Sequence, residues 1–215
     1  MQSNSLLRAL PFSDKKLISL IQAEEVVLTP SDTVWGLCGK VTDKVFDKLN
    51  FLKVRNEKPY LLLASSLKDI EQYAVLPQDQ ALRDWLMSIW PGPVTVIFKA
   101  LPSTPSYMIG PEKSIAFRIP YHEGLQSLLA SVSPLFSTSA NISGQPVPLT
   151  FNQVDHSIKK GVAAYVGIDE ISTLKPSTIV DVSNGTLKLV REGIITFDQL
   201  KNLLEEKREN NMNIF

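Results

Sequence analysis

One segment decides the fold of this chain: Val26-Val27-Leu28-Thr29-Pro30-Ser31-Asp32-Thr33-Val34-Trp35-Gly36-Leu37. Its apolar start is typical of a buried strand, and the strand is expected to end at Pro30. Three small polar residues follow, and α/β proteins place ligands beyond the carboxyl ends of their strands. The alternative is that Ser31, Asp32 and Thr33 cap a helix. This segment alone leaves both interpretations open.

The composition indicates a globular chain with ample material for a core. The sequence has 215 residues, of which 44% are hydrophobic and 20% are charged. Lysine and arginine number 22, as do aspartate and glutamate, so the net charge is zero. A protein made for nucleic acid is usually basic, although local clusters remain compatible with this balance. We expect one domain over residues 1–215, with a core at about 14–195 and a C-terminal helix and tail at 196–215.

Cysteine and histidine are scarce in this sequence. Cys38 is the only cysteine, and His122 and His156 are the only histidines. No internal disulfide can form, which suits a reducing compartment, and a structural zinc site is disfavoured. The sequence also lacks a signal-peptide pattern and an apolar run long enough for a membrane span. We therefore expect a cytoplasmic protein with no membrane segment and no metal ligands of its own.

Helical and strand patterns alternate along the chain. Predicted helices cover 14–23, 42–53, 67–74, 78–90, 123–132, 150–159 and 196–208. Predicted strands cover 25–29, 60–64, 94–99, 114–119, 135–138, 162–168, 178–183 and 186–190. Between the last two strands, Asn184-Gly185 is a strong hairpin signal, which requires antiparallel pairing at that place. The pattern predicts a mixed α/β sheet with helices packed on it.

Cationic residues are concentrated at the end of the second predicted helix, in Lys53-Val54-Arg55-Asn56-Glu57-Lys58-Pro59. The helix dipole favours cations at a helix C-terminus, which accounts for one or two of them. Three cations before a proline that enters a buried strand fit an anion site better. We therefore interpret this segment as a candidate anion site.

Arg118 lies inside the apolar strand Ile115-Ala116-Phe117-Arg118-Ile119. An unpaired buried charge is costly, so this arginine needs a partner. It either pairs with an internal carboxylate or faces a cleft and holds a carboxylate or phosphate group.

Two further polar segments follow predicted strands or flank the hairpin. Residues 137–144 read Ser-Thr-Ser-Ala-Asn-Ile-Ser-Gly. This segment suits either a site for a phosphate, a ribose or an amino acid, or a simple turn with a helix cap. Ser177 precedes the hairpin and Arg191 follows it. Each of these signals is weak when it is taken alone.

Taken in order, these segments resemble the YrdC/Sua5 family, the threonylcarbamoyl-adenylate synthases of tRNA modification. The resemblance spans about residues 14–195 and is of the short, single-domain type. It rests on an ordered set of motifs: Pro-Ser-Asp-Thr-Val-Trp-Gly-Leu at 30–37, Lys53-x-Arg55, Trp-Pro-Gly-Pro-Val-Thr at 90–95, Phe-Arg-Ile-Pro at 117–120, Ser-Thr-Ser-Ala-Asn-Ile-Ser-Gly at 137–144, Ser-Thr-Ile-Val-Asp at 177–181 and Arg-x-Gly at 191–193.

The resemblance implies a twisted mixed sheet with helices around a large concave site. It also implies a reaction that joins L-threonine, bicarbonate and ATP into threonylcarbamoyl-adenylate and releases pyrophosphate. Mg²⁺ would enter with ATP, and partner proteins would move the threonylcarbamoyl group to adenosine 37 of tRNA.

Site residues are implied by the same resemblance. The phosphate-binding and catalytic set matches Lys53, Arg55, Ser139 and Asn141, and Arg191 matches a further nucleotide-binding position. The threonine-binding positions match Thr33, Lys58, Arg118, Ser137 and Ser177. One departure concerns Lys58, because family members commonly have one more residue between the second cation of the Lys-x-Arg motif and this position.

Two alternatives to the synthase stay open at this point. The first is a divergent paralogue, an adenylating or carbamoyl-handling enzyme with altered substrates. The second is an RNA-binding module without enzymatic activity, since a basic concave face suits a phosphate backbone.

Overall fold

The computed structural model describes residues 7–55, 59–167 and 175–212. The helices are α1 (Lys15–Gln22), α2 (Asp43–Lys53), α3 (Leu67–Ile70), α4 (Gln80–Ile89), α5 (Glu123–Val132), α6 (His156–Gly161) and α7 (Phe197–Met212). The strands are β1 (Arg8–Leu10), β2 (Val27–Thr29), β3 (Gly36–Lys40), β4 (Leu61–Leu63), β5 (Ala74–Val75), β6 (Val94–Ala100), β7 (Ser114–Arg118), β8 (Leu135–Ser139), β9 (Ala164–Val166), β10 (Thr178–Asp181) and β11 (Lys188–Arg191).

The strands form one mixed sheet with the order β1-β9-β2-β3-β8-β4-β7-β6-β10-β11, and β5 adds to β6. Parallel pairs join β4 to β7 and β6 to β10, whereas β8 pairs antiparallel with both of its neighbours, β3 and β4. The predicted hairpin is confirmed, because β10 and β11 pair antiparallel on either side of Gly185, whose φ is +75°. The predicted mixed α/β sheet is therefore correct.

Alternation along the strands divides the core between the two faces of the sheet. Leu62 and Phe136 belong to a large apolar cluster on one face, and their neighbours Leu63 and Leu135 belong to a smaller cluster on the other. Buried side chains of α2, α4, α6 and α7 join the large cluster, and those of α1 and α5 join the small one. Helices α1 and α5 leave part of this second face of the sheet uncovered, and a cavity opens there.

The structure excludes one of the two interpretations of residues 31–33. Residues 31–33 do not cap a helix, because the chain continues into β3, which pairs antiparallel with β2. Ser31 instead closes a short loop, in which its hydroxyl donates to the carbonyl of Val34 at 2.8 Å. The loop between β2 and β3 thus carries Ser31, Asp32 and Thr33 at the edge of the cavity.

Three predicted helices differ from the structure by more than two residues at one end. Residues 67–74 form α3 only as far as Ile70, and Ala74 already belongs to β5. Residues 150–159 form a 3₁₀ turn, and α6 then begins after Asp155, whose carboxylate accepts from the amide of Ser157. The last helix runs four residues further than predicted, to Met212. The helix predicted over 196–208 therefore extends into the predicted tail as far as Met212, and residues 213–215 lie outside the described part of the chain.

Within the described ranges, no helix is long and apolar enough to cross a membrane. The same residues contain no group of three or more histidine, cysteine, aspartate and glutamate side chains placed to hold a metal ion.

Candidate active site

A cavity of about 800 Å³ opens over the uncovered face of the sheet. Strand alternation explains its lining, because every second residue of each strand points to this face. Thr95 and Ile97 of β6, Ala116 and Arg118 of β7, and Ser137 of β8 follow this spacing. The loops after β2 and β8 and the end of α2 complete the wall.

Lys53 enters this cavity from the last turn of α2. Its side chain is 3% exposed, and its ammonium group donates to the carbonyl of Ser139 at 2.6 Å and to Oδ1 of Asn141 at 3.2 Å. The hydroxyl of Ser139 also contacts Oδ1 of Asn141. Three of the predicted phosphate-site residues are therefore joined in one hydrogen-bonded group, although Lys53 and Asn141 are 88 positions apart.

Arg55 lies on the cavity wall two residues after Lys53. The intervening Val54 ends α2 in the left-handed conformation, with a φ of +50°, and this turn separates the directions of the two cations. The Arg55 guanidinium donates to the carbonyl of Pro59 at 3.0 Å and lies 4.7 Å from the centre of the Tyr60 ring. Both contacts hold the cation without neutralising it.

Arg118 is buried, with 3% of its side chain exposed. Its Nη1 atom lies 3.1 Å from Oδ1 of Asp32 and donates to the hydroxyl of Thr33 at 2.9 Å. The other oxygen of Asp32 accepts from the amide of Tyr121 at 3.0 Å. The structure thus combines the two interpretations of this arginine, because it is paired with an internal carboxylate and also lines the cavity.

Ser177 and Arg191 lie together on the hairpin side of the cavity. Nη2 of Arg191 donates to the carbonyl of Ser177 at 2.9 Å, and the Ser177 hydroxyl lies 2.8 Å from that of Thr95. Gly193 fits tightly here, since a Cβ atom on it would lie 2.2 Å from the carbonyl of Pro176. Close backbone packing therefore fixes the Ser177 segment against the arginine strand.

Burial lowers the pKa of each of these cations. Desolvation, with a smaller contribution from Arg55, lowers the pKa of Lys53 from 10.5 to about 8. The pKa of Arg55 is lowered mainly by burial, and that of Arg191 is lowered by burial and then by the charge of Arg118. Burial also raises the pKa of the Cys38 thiol, which keeps this residue a neutral thiol rather than a nucleophilic thiolate.

Nine of the ten predicted site residues line this one cavity; Lys58 lies outside the described residues. The nine are Thr33, Lys53, Arg55, Arg118, Ser137, Ser139, Asn141, Ser177 and Arg191. The sequence prediction omitted Thr95 and Ser114, which line the cavity, and Asp32, which lies behind Arg118. Alternation along β7 from Arg118 would have indicated Ser114. The positions of Thr95 and Asp32 depend on contacts with distant segments and have no local signal.

Comparisons with known proteins agree with this geometry. The family model of the Sua5, YciO and YrdC proteins, described as telomere recombination, matches residues 19–193. This chain belongs to that family. A threonylcarbamoyl-AMP synthase of Enterobacter sp. (strain 638) is 34% identical over 174 residues, which cover 78% of this chain and 90% of the relative. A protein of the same name from Yersinia enterocolitica is 33% identical over 184 residues, covering 82% and 94%.

Solved structures of Sua5/YciO/YrdC proteins share the fold. P. abyssi Sua5 complexed with L-threonine superposes with a TM-score of 0.79 at 23% identity. The match covers 87% of this chain and 56% of Sua5, so this chain spans little more than half of that protein. E. coli YciO gives a TM-score of 0.74 at 22% identity and covers 84% of this chain and 89% of YciO. The fold implied by the resemblance is therefore confirmed.

The pKa of Lys53 yields a pH-dependent prediction. A lysine with a pKa of about 8 is mostly charged at pH 7.5 and mostly neutral at pH 9. The affinity of the cavity for pyrophosphate should therefore fall about fivefold to tenfold over this range, as the attracting charge is lost. Calorimetric titration at both pH values measures the change.

The matched control for this titration is Lys53→Arg, which stays charged throughout. Ionisation of pyrophosphate itself affects both proteins equally, so the ratio of their affinities isolates Lys53. An equal pH dependence in the two proteins would contradict the assignment of the titration to Lys53.

Proposed function

We propose that this protein synthesises L-threonylcarbamoyladenylate from L-threonine, bicarbonate and ATP, with release of pyrophosphate. One observation carries the proposal: Lys53, Arg55, Arg118 and Arg191 line a single cavity, and no carboxylate among the described residues lines it. A cavity with four cations suits a reaction among several anions. The relatives named threonylcarbamoyl-AMP synthase support the choice of substrates.

The proposed chemistry takes its nucleophile from the substrates. The neutral amine of threonine bonds to the carbon of bicarbonate, which loses water, and a carbamate results. A carbamate oxygen then attacks the α-phosphorus of ATP, and the bond from that phosphorus to the β-bridging oxygen breaks. Pyrophosphate leaves with the electron pair of that bond. The protein is required to position the reactants and to stabilise the negative charge.

The threonine end of the site is proposed to lie around Arg118. Its planar guanidinium would bind the carboxylate of threonine, as such forks favour carboxylates. Thr33, hydrogen-bonded to Arg118, would lie beside the amino acid. The hydroxyl of Ser137 would approach it from β8, and that of Ser177 from the residue before β10. Lys58 is retained in this set as a proposal from the family motif.

The nucleotide end is proposed to lie around Lys53 and Arg55, with Arg191 contributing from the hairpin side of the cavity. These three cations would bind the phosphate groups. Ser139 and Asn141 orient the ammonium group of Lys53 and would contact phosphate oxygens once ATP is bound. This set is proposed to stabilise the charge that develops on the α-phosphate and on pyrophosphate.

Mg²⁺ is proposed to enter with ATP as part of the nucleotide substrate. The described cavity lining offers hydroxyl, amide and carbonyl oxygens but no carboxylate. This donor set does not fit a divalent cation held by the protein alone, whereas Mg²⁺ commonly keeps water and phosphate ligands.

The product is proposed to pass to partner proteins that transfer the threonylcarbamoyl group to adenosine 37 of tRNA. We also propose a cytoplasmic location, with which a single cysteine, Cys38, is compatible. Direct RNA binding by the basic cavity is the alternative, and an activity assay separates it from the synthase.

The proposed reaction predicts that pyrophosphate release from ATP depends on both co-substrates. Purified protein should release pyrophosphate when L-threonine and bicarbonate are present together, and at least about tenfold less when either is omitted. The reason is that the carbamate, which is the nucleophile, requires both. A coupled phosphate assay with inorganic pyrophosphatase measures the rate.

Lys53→Ala serves as the inactive control in this assay, because it removes a phosphate-binding charge. Release that is equally fast without threonine and bicarbonate would contradict the synthase. The absence of release with any amino acid, combined with salt-dependent RNA binding, would favour an RNA-binding module.

Arg118→Lys should weaken threonine binding selectively. The substitution keeps a positive charge beside Asp32 but removes the planar fork that binds a carboxylate through two hydrogen bonds. We expect the Kd for L-threonine to rise about tenfold and the Kd for ATP to change less than about twofold. Calorimetry with each ligand separately measures both constants.

A matched control is Arg83→Lys, since Arg83 donates to the carbonyl of Pro77 outside the cavity. That variant should bind both ligands as the unmodified protein does. Equal losses of threonine and ATP binding in Arg118→Lys would refute the assigned role.

A further inference from the structure

The positive charges of the cavity are compensated unequally. Lys53, Arg55 and Arg191 donate to carbonyl oxygens of Ser139, Pro59 and Ser177 respectively. A carbonyl dipole orients a cation but leaves its net charge in place. Arg118 differs, because it has a carboxylate, that of Asp32, 3.1 Å away. The pair of Arg118 and Asp32 therefore has no net charge.

Asp32 is built into the structure rather than left at the surface. Its side chain is 9% exposed, and its second oxygen accepts from the amide of Tyr121 at 3.0 Å. It lies behind Arg118 and does not line the cavity itself. The carboxylate and the hydroxyl of Thr33 both contact Nη1 of Arg118, so they fix one side of the guanidinium.

Arg118 and Arg191 line the same cavity, so their positive charges act on each other. The charge of Arg118 contributes to the lowered pKa of Arg191, although the two residues lie on different strands. An uncompensated charge on Arg118 would therefore attract a polyanion at the nucleotide end as well. With Asp32 in place, this attraction is reduced.

We propose that Asp32 is a specificity-determining residue. It neutralises Arg118 so that this end of the cavity binds a zwitterionic amino acid and does not compete with the nucleotide end for polyanions. The identity of the ligands rests on the function proposed above. Asp32 acts through Arg118, because it contacts Arg118, which lines the cavity, and is not itself part of the lining.

Removal of the Asp32 charge should affect the affinities for the two ligands differently. A zwitterion has no net charge and gains nothing from an extra positive charge, whereas pyrophosphate carries several negative charges and does gain. Loss of the Asp32 charge should also weaken the contact that orients Nη1 of Arg118, so that the guanidinium binds the amino acid less well. The two affinities should therefore change in opposite directions.

The test is Asp32→Asn, which preserves the size of the side chain and a carbonyl acceptor for Arg118. We expect pyrophosphate to bind at least about threefold more tightly at 50 mM salt and L-threonine about tenfold more weakly. Calorimetry with each ligand alone measures both constants. The control is Asp198→Asn, which removes the same charge from an exposed pair with Lys201 and should change neither affinity.

A second variant covers the case in which Asp32→Asn fails to fold because Arg118 is left buried without a counter-charge. The double variant Asp32→Asn with Arg118→Gln replaces a neutral pair by another neutral pair, which proteins tolerate more readily. Its Kd for pyrophosphate should stay within about twofold of that of the unmodified protein. A loss of about threefold or more would mean that Arg118 acts as an uncompensated cation, which would overturn the proposal.

The same measurements separate this proposal from the proposed function. If the unmodified protein binds no L-threonine, the synthase itself is contradicted. If it binds L-threonine and Asp32→Asn weakens threonine and pyrophosphate together, Asp32 is only structural and the specificity role is overturned.

Discussion

The constraint on which this structure depends is the concentration of positive charge in one partly buried cavity. Lys53, Arg55, Arg118 and Arg191 all line it, and burial lowers the pKa of each. Moving a charge out of water is costly unless polar groups replace the water. The chain provides these groups mainly from backbone carbonyls, which stabilise cations by their dipoles. The cations therefore stay oriented and charged, ready for anionic ligands.

The architecture of the sheet follows from this arrangement. Strands from distant parts of the sequence must bring their ends to one face, and that face cannot be covered completely by helices. Strand β8 pairs antiparallel with both β3 and β4. This pairing brings Ser137 and Ser139 of β8 next to the strand that follows the loop at 31–33. Ser139 in turn accepts a hydrogen bond from Lys53. Charges that are already in position need no rearrangement during a reaction. For a protein that supplies no nucleophile, this preorganisation is the main contribution to the formation of an adenylate.

Much of the fold and of the site could be predicted from local patterns. The helix ending at Lys53, the hairpin at Asn184-Gly185 and the strand containing Arg118 all have signals within a few residues. The ordered motifs also indicated nine cavity residues before any geometry was known. Strand β3 was missed because Gly36 and Gly39 interrupt its apolar pattern. The short strand β1 was missed because three residues are too few for periodicity.

Long-range pairing explains the remaining failures. Nothing near Asp32 in the sequence indicates that it meets Arg118, which is 86 positions away. The position of Thr95 beside Ser177 likewise depends on the parallel pairing of β6 with β10. Such contacts arise from the register of strands that are distant in sequence, and a single sequence leaves that register undetermined.

In the proposed reaction, the carbon of bicarbonate becomes part of an adenylate. We would test this step by incubating the protein with ¹³C-bicarbonate, L-threonine and ATP and analysing the nucleotide products by mass spectrometry. We predict an adenylate that contains threonine and one ¹³C atom. A threonine-containing adenylate without the label, or AMP with no acylated nucleotide at any time point, would contradict it.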